Sequence, residues 1–202
     1  MIDYIFDVDL FDHVSEYDAI LVATNTSYVM RHGIQRKISL HYPYVYEANL
    51  KTKYADIKKM GTILQCEKEG FPTFILCYVN NGINTRPDVK ADFLSYDSLE
   101  NCLKIVNVLY KGKHLASTLL GSSKFDGNGD KEKIRNIITT SLTDVDLTIY
   151  DYEQKSRDEM WKEQYEKEMA VKKIDRVKYY EMVRDRKEKE RKIKELNGRT
   201  KW

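Results

Sequence analysis

The chain has 202 residues, 42% of them hydrophobic, which is enough to bury the core of one full domain with an appended segment. No apolar run reaches the roughly eighteen residues of a membrane span. The first residues, MIDYIFDVDLFDH, carry acids where a signal peptide carries basic residues and a long apolar core. The three cysteines, Cys66, Cys77 and Cys102, are widely spaced and sit in or beside apolar segments, as buried thiols do. We therefore expect a cytoplasmic protein without a disulfide framework or a zinc site.

The net charge of +2 is distributed unevenly along the chain. Residues 155–202 contain 17 Lys and Arg against 11 Asp and Glu, whereas the remaining residues contain 17 against 21. The same C-terminal stretch has one glycine and no proline. This change in composition predicts two parts, a globular domain over residues 1–152 and a charged helical extension over residues 153–202.

Segments of strand length alternate with segments of helical period along the first part. DAILVATN (18–25) is typical of a buried strand, and SYVMRHGIQRKISLHYP (27–43) predicts a helix that ends before its proline. YVYEANLKTKYAD (44–56) indicates another short helix. TILQCEK (62–68) and TFILCYV (73–79) flank the turn sequence EGFP and predict a hairpin or neighbouring strands.

The alternation continues to the end of the globular part. YDSLENCLKIVNVLY (96–110) spaces its apolar residues as an amphipathic helix does. HLASTLL (114–120) predicts a strand, KEKIRNIITTSL (131–142) a helix and VDLTIYDY (145–152) a closing strand. Such repeated alternation predicts an α/β fold, with a mostly parallel or mixed sheet covered by helices on both faces.

Two loops stand out because ligands of open α/β sheets bind beyond the carboxyl ends of the strands. One is NTSYVMRHG (25–33), and the other is GSSKFDGNGD (121–130). The glycines of the second loop let the backbone approach a ligand, and the exposed N–H groups at the start of the following helix favour an anion such as phosphate. The loop is neither a P-loop nor a G-x-G-x-x-G fingerprint, so a plain turn is the alternative reading.

The order of these segments resembles that of the macro domains, a family that binds ADP-ribose. Within this family, it resembles the divergent group that includes ADP-ribose 1″-phosphate phosphatases and de-ADP-ribosylating hydrolases. The resemblance covers about residues 3–152 and implies a three-layer α/β/α fold with a mixed sheet. VDLF (8–11) is similar to the family's Gly-Asp-Leu-Phe strand end. This similarity implies that Asp9 accepts the adenine amino group and that Leu10 belongs to the ligand-binding residues.

The loop after DAILVAT is similar to the family's Asn-containing loop and Met-x-x-Gly-Ile helix start. The resemblance implies that Asn25 lies near the distal ribose. It also implies that the segment around the diphosphate contains Met30, His32, Gly33 and Ile34.

The loop GSSKFDGNGD is similar to the Gly-x-Gly or Gly-Ser-Gly turn that holds the diphosphate in family members. In the family, an aromatic residue beside the distal ribose and a loop acid, catalytic in some hydrolases, follow that turn. Phe125 and Asp126 match these two positions. The resemblance therefore implies ligand contacts from Gly121, Ser122, Ser123, Lys124 and Phe125.

The sequence departs from the family at two places. The glycine cluster of the first phosphate loop is reduced to Gly33, and Arg31 beside it can compensate by charge. The lysine nucleophile of one hydrolase branch falls near Asn80 or Asn81, and an asparagine cannot form that covalent adduct. These departures favour a binding protein over an enzyme that acts through a lysine adduct.

Two functions follow from the resemblance, and both stay open. An enzyme would hydrolyse a group from ribose C1″, with Asp126 or His32 positioning or deprotonating the water and Asn25 completing the catalytic set. A non-catalytic protein would bind or sequester an ADP-ribose-type nucleotide signal. Structural roles compete at three of these positions: Asn25 as a strand-end cap, Phe125 as a loop anchor and His32 as a surface residue. Neither function requires a cofactor.

The extension has no helix breaker over residues 153–196 and predicts one long helix. Its first half has a loose apolar stripe that can pack on the globular domain, on a second copy or on a protein partner, although its heptads are irregular for a coiled coil. An adaptor acting through this helix is thus a third function. Nucleic-acid binding is the weaker alternative, because acids interleave with the basic residues. The stripe consists of Trp161, Tyr165, Met169, Ile174 and Val177.

Overall fold

The structure is a computed structural model that describes residues 1–82, 93–123 and 127–151. The predicted domain boundary at residue 152 and the predicted helix over residues 153–202 lie outside the described residues. The described strands are β1 (Ile2–Phe6), β2 (Ala19–Asn25), β3 (Ile63–Cys66), β4 (Phe74–Asn80), β5 (His114–Thr118) and β6 (Asp146–Asp151). The described α-helices are α1 (Gly33–His41), α2 (Pro43–Leu50), α3 (Tyr96–Leu109) and α4 (Lys131–Ser141).

The six strands form one sheet in the order β1-β6-β5-β2-β4-β3. Neighbouring strands run parallel except for β3, which pairs antiparallel with β4. The predicted mixed sheet is confirmed, and so are the neighbouring strands on either side of EGFP. The hairpin forms because a short turn can join antiparallel strands, whereas parallel strands need a longer crossover connection.

Helices cover both faces of the sheet, and the burial of β2 shows how. Leu21 and Ala23 point to the face that carries α3 and α4, while Ile20 and Val22 point to the face that carries α1 and α2. Every residue of β2 is buried, as expected for a central strand of a parallel region covered on both sides. The fold is therefore a three-layer α/β/α sandwich.

The predicted periodicity of α3 and α4 matches their packing. Leu99, Leu103 and Val106 of α3 are fully buried, as are Ile134 and Ile138 of α4. Each helix begins at a side-chain cap, because the Ser95 hydroxyl accepts from the Ser98 N–H and the Asp130 carboxylate accepts from the Lys133 N–H at 2.8 Å. These caps satisfy N–H groups that have no partner within the helix.

The first strand ends earlier than the resemblance implies. β1 stops at Phe6, Asp7 adopts a left-handed φ of 59°, and VDLF leads into a 3₁₀ turn, Leu10–Asp12. The Asp9 carboxylate accepts from the Phe11 N–H at 3.1 Å, and this local bond favours a turn over a continued strand.

The three cysteines are buried and free, as predicted for structural thiols. Within residues 1–82, 93–123 and 127–151, no helix has the length and apolar character needed to cross a bilayer. The same ranges contain no group of three or more His, Cys, Asp or Glu side chains arranged to hold a metal ion.

Candidate functional site

The two loops singled out in the sequence lie side by side at the carboxyl edge of the sheet. The loop after β2 leads into α1, the loop after β5 leads into α4, and β2 and β5 are hydrogen-bonded neighbours. α1 packs on one face of the sheet and α4 on the opposite face. The two connections therefore diverge, as at the switch points where open α/β sheets bind ligands, and we call the space between them the crevice.

Asn25, assigned to the distal ribose by the resemblance, uses its side chain to fold the loop after β2. Its buried Oδ1 accepts from the N–H groups of Ser27 at 3.0 Å and Val29 at 3.2 Å, and its Nδ2 donates to the Val29 carbonyl at 2.8 Å. In this structure Asn25 folds the loop, which is the role of a strand-end cap that competed with ligand contact in the sequence analysis. Its contribution to a ligand site would pass through the loop that it holds.

The segment matched to the diphosphate begins α1. Met30 is buried in the core beneath the loop, so its side chain supports the site from below. His32 is the exposed N-cap residue, and its carbonyl accepts from the Arg36 N–H at 3.1 Å. Gly33 has a φ of 50° with nothing within 4 Å of the position of a Cβ, and Ile34 is half-buried. Gly33 therefore faces open space at the start of the helix, where N–H groups favour an anion.

The loop after β5 is folded tightly by backbone hydrogen bonds. The Gly121 carbonyl accepts from the Gly129 N–H at 3.0 Å, and the Ser123 carbonyl accepts from the N–H groups of Gly127 and Asn128. The hydroxyl of Ser122 donates to the Leu119 carbonyl at 2.8 Å, which stabilises the turn from its other side. The structure thus brings Gly121, Ser122 and Ser123 into one compact turn beside the crevice.

The three glycines of this loop have no room for a side chain. A Cβ on Gly121 would lie 2.6 Å from Leu94 Cδ1, and one on Gly129 would lie 2.5 Å from Leu94 Cδ2. A Cβ on Gly127 would lie 2.7 Å from the Gly121 carbonyl oxygen. Gly121 also has a φ of 72°, which disfavours other residue types. The loop is therefore folded against Leu94 by close backbone approach.

Three of the predicted site residues, Lys124, Phe125 and Asp126, lie outside the described residues. Their assignments as diphosphate contact, ribose-packing aromatic and catalytic acid stay predictions. Asn80 ends β4 beside Asn25 of β2 in the strand register, and Asn81 accepts from the Thr26 hydroxyl at 3.0 Å. The two asparagines, near which the resemblance puts the lysine of one hydrolase branch, therefore border the loop after β2.

Asp9 and Leu10 occupy different environments. Leu10 is buried in the core, so that only its backbone could contact a ligand. The Asp9 carboxylate is partly exposed and forms an ion pair with Lys37 of α1. Burial raises the pKa of Asp9, but the hydrogen bonds from Lys37 and from the Phe11 N–H outweigh it and lower this pKa overall. The acceptor predicted for the adenine amino group is therefore ionised and already bonded to a lysine.

A buried carboxylate ends β6 at the same edge of the sheet. Asp151 accepts from Lys131 Nζ at 3.1 Å and from Arg135 Nη2 at 2.9 Å, and its side chain is 7% exposed. Two cations of α4 thus share one carboxylate, and Arg135 also pairs with the exposed Glu132 at 3.2 Å, so the two cations and two carboxylates balance in charge.

Sequence reasoning missed two residues that shape the candidate site. Leu94 belongs to no periodic segment, and its role follows from contacts with glycines that are distant in sequence. Lys37 sits among the polar residues of a helix, and its pairing with Asp9 spans 28 positions. No local pattern marks either residue. The glycine content of the loop at 121–130 was the available signal that some side chain lies close beneath it.

Comparison with known proteins identifies the class of fold. No protein-family model matches the sequence, and no curated protein is similar to it in sequence. Among solved structures, the chain has the three-layer fold of the macrodomains. The matched structures share about a fifth of their residues or fewer with this chain, so the similarity defines the fold. The resemblance seen in the sequence is confirmed at this level.

Three of the similar structures illustrate the match. A Bacteroides thetaiotaomicron protein of unknown function superposes with a TM-score of 0.61 and 18% identity, over 75% of this chain and 98% of its own. The macrodomain of Mycobacterium tuberculosis DarG matches with a TM-score of 0.55 and 20% identity, over 74% and 97%. Thermosipho africanus DarTG in complex with ADP-ribose matches with a TM-score of 0.58 and 17% identity, over 76% of this chain and 42% of its own.

Proposed function

We propose that this chain binds ADP-ribose or a derivative of it in the crevice between the loops after β2 and β5. The observation that carries the proposal is the placement of these loops. They follow neighbouring parallel strands, lead to helices on opposite faces, and bring the open start of α1 next to a tight glycine turn. Backbone N–H groups at such positions suit a diphosphate. The fold shared with an ADP-ribose complex supports this choice of ligand.

In the bound state, the start of α1 at Gly33 and the turn at Gly121 would hold the diphosphate. The loop shaped by Asn25 would border the distal ribose, and Asp9 would border the adenine. Asp9 would have to share its carboxylate between Lys37 and the adenine amino group. Specificity would then come from the shape of the crevice and from backbone donors.

A more specific proposal adds a reaction to this binding, the hydrolysis of a group from ribose C1″. It depends on His32 and Asp126, because the Asn25 side chain is engaged in folding its own loop. That engagement favours a binding or sequestering protein over an enzyme. The class of reaction would be attack of water on an ester or phosphate linkage, with release of free ADP-ribose.

The test is calorimetric titration of ADP-ribose into the wild type and two matched variants. Gly33 and Gly112 both have a positive φ and open space around the position of a Cβ, but Gly112 lies in the turn between α3 and β5. Gly33→Glu should abolish the binding heat because its carboxylate would stand where the diphosphate binds. Gly112→Glu also places a side chain at a positive φ, of 73° against 50° at Gly33, and should bind as the wild type does.

Two results would contradict the proposal. Wild-type protein that releases no heat would remove ADP-ribose as the ligand and shift attention to residues 153–202. Equal binding by Gly33→Glu and the wild type would place the ligand elsewhere. If binding occurs, incubation with ADP-ribose 1″-phosphate follows. Phosphate release that is lost in Asp126→Asn or His32→Gln would establish the enzyme, and an unchanged substrate would establish the binding protein.

A further inference from the structure

The loop after β2 needs support from outside because its own conformation is strained. Tyr28 is a non-glycine residue with a φ of 60°, in the left-handed region that bulky side chains rarely adopt. Asn25 folds the loop internally but does not tie it to the rest of the domain. At Thr26 the loop is attached on two sides: its N–H and hydroxyl donate to Asn80 and Asn81 at the end of β4, each at 3.0 Å. Its carbonyl is held by the turn at residues 51–59, where the Ala55 N–H donates to it at 2.9 Å.

Lys59 provides the second attachment to the same carbonyl. Its Nζ donates to the Thr26 carbonyl at 2.8 Å and to the Thr52 hydroxyl at 3.1 Å. The ammonium also lies 4.4 Å from the ring centre of Tyr28 and 4.8 Å from that of Tyr78. The Tyr28 hydroxyl donates to the Thr52 carbonyl, which closes the arrangement. One half-buried cation therefore contacts both the first residue of the loop and its strained residue.

Holding a charge in this place has a cost. Burial lowers the pKa of Lys59, and the nearby Asp56 carboxylate opposes that shift only in part. The contacts described for the ammonium are with neutral oxygens and aromatic rings, which compensate a desolvated cation less than a carboxylate would. An apolar side chain of the same length could fill the space, so the ammonium points to a requirement for its charge.

We propose that Lys59 is a positioning residue for the loop after β2, and that its ammonium holds Thr26 and Tyr28 in the arrangement that the ligand recognises. This inference rests on the proposed binding of ADP-ribose. Lys59 acts through the loop, because its contacts are with Thr26, Tyr28, Thr52 and Tyr78.

The experiment compares Lys59→Met with Lys58→Met, a control at an exposed neighbour. Two quantities are measured: the affinity for ADP-ribose by calorimetry, and amide hydrogen exchange at Ser27 and Val29, whose N–H groups report the loop. Lys59→Met should weaken binding by about tenfold and speed exchange at both amides by about tenfold, the loss expected for one charged hydrogen bond. Lys58→Met should change neither, and exchange in the core strand β2 should stay constant in both variants.

Chemical rescue separates the charge from packing. Lys59→Cys can be alkylated selectively because the three native thiols are buried. Bromoethylamine restores an ammonium at nearly the original position and should recover both affinity and amide protection. Iodoacetamide adds a neutral group of similar bulk and should not.

The outcomes separate this inference from the proposed function. Wild-type exchange and affinity in Lys59→Met, or equal recovery with both reagents, would overturn the role of Lys59. If the wild type does not bind ADP-ribose, the proposed function fails, and the exchange data alone decide whether Lys59 positions the loop.

Discussion

Exchanging Gly129 for alanine tests whether the glycine loop is folded against Leu94. An added Cβ would meet Leu94 Cδ2 at 2.5 Å and Ile134 Cδ1 at 3.0 Å, both ends of flexible side chains. We expect this overpacking to lower the free energy of unfolding by about 1–3 kcal/mol. Leu94→Ala alone should cost about 2–5 kcal/mol, because Leu94 is 6% exposed and its loss opens a cavity.

The double variant that combines Gly129→Ala with Leu94→Ala tests the contact between the two residues directly. In Leu94→Ala the atom that blocks Gly129 is absent, so the new methyl group partly fills the cavity. The double variant should then lose less stability than the sum of the losses of the two single variants, with a coupling energy of about 1–2 kcal/mol. Gly127→Ala provides the control, since its Cβ would meet the Gly121 carbonyl oxygen at 2.7 Å and Leu94 Cβ at 3.1 Å, and both atoms remain in the Leu94→Ala background.

Urea denaturation of the wild type, the three single variants and the two double variants gives both coupling energies. A coupling energy between Gly129→Ala and Leu94→Ala, together with nearly additive costs for Gly127→Ala and Leu94→Ala, would support the packing of the loop against Leu94. Additive costs at Gly129 would show that Leu94 does not set the loop conformation. Equal coupling at both glycines would show a general loosening of the loop.

Three further predictions concern charges and thiols. Asp151→Asn removes the carboxylate shared by two α4 cations and should lower the free energy of unfolding by about 1–3 kcal/mol. Glu132→Gln, which removes a partner that is 88% exposed, should cost less than about 0.5 kcal/mol in the same urea assay, and equal costs would contradict the difference in burial. Burial alone would raise the pKa of Asp9, but its hydrogen bonds lower it, so its carboxylate stabilises the fold above the unfolded pKa and loses that effect as pH falls through the folded pKa. Asp9→Asn should therefore be less stable than the wild type by at most about 1 kcal/mol at neutral pH and equal to it in acid, and a difference that persists in acid would refute this. Burial raises the pKa of Cys66 to about 12, so a thiol reagent should react with the cysteines only after urea unfolding, and rapid reaction of the native protein would contradict their burial.

The fold could be predicted because the periodicity of each segment indicates its secondary structure without knowledge of its tertiary contacts. The spacing of Leu99, Leu103 and Val106 defines a helix face whatever surrounds it, and the run at 19–25 is apolar throughout because both faces of β2 are covered. The family resemblance identified the fold through the order of these elements, and the solved structures confirm it.

The candidate site could be predicted only as a location. Its loops were found from glycines and from strand ends, but the contacts that shape them join residues far apart in sequence. The bond from Lys59 to Thr26 spans 33 positions, and Lys59 lies in no motif. Asn25 shows a further limit, because the same asparagine fits a ligand contact and a loop-folding residue, and only its three hydrogen bonds distinguish them.

The place of β6 in the sheet affects how the chain can fold during synthesis. β6 is the last of the described strands to be made, yet it lies between β5 and β1, the first strand. Until residues 146–151 leave the ribosome, β1 has no neighbour and one edge of β5 stays unpaired. Between the synthesis of β5 and that of β6, the nascent chain therefore carries both the unpaired β1 and an open edge of β5, and the pairing of β6 with β1 then joins the most distant segments of the described chain.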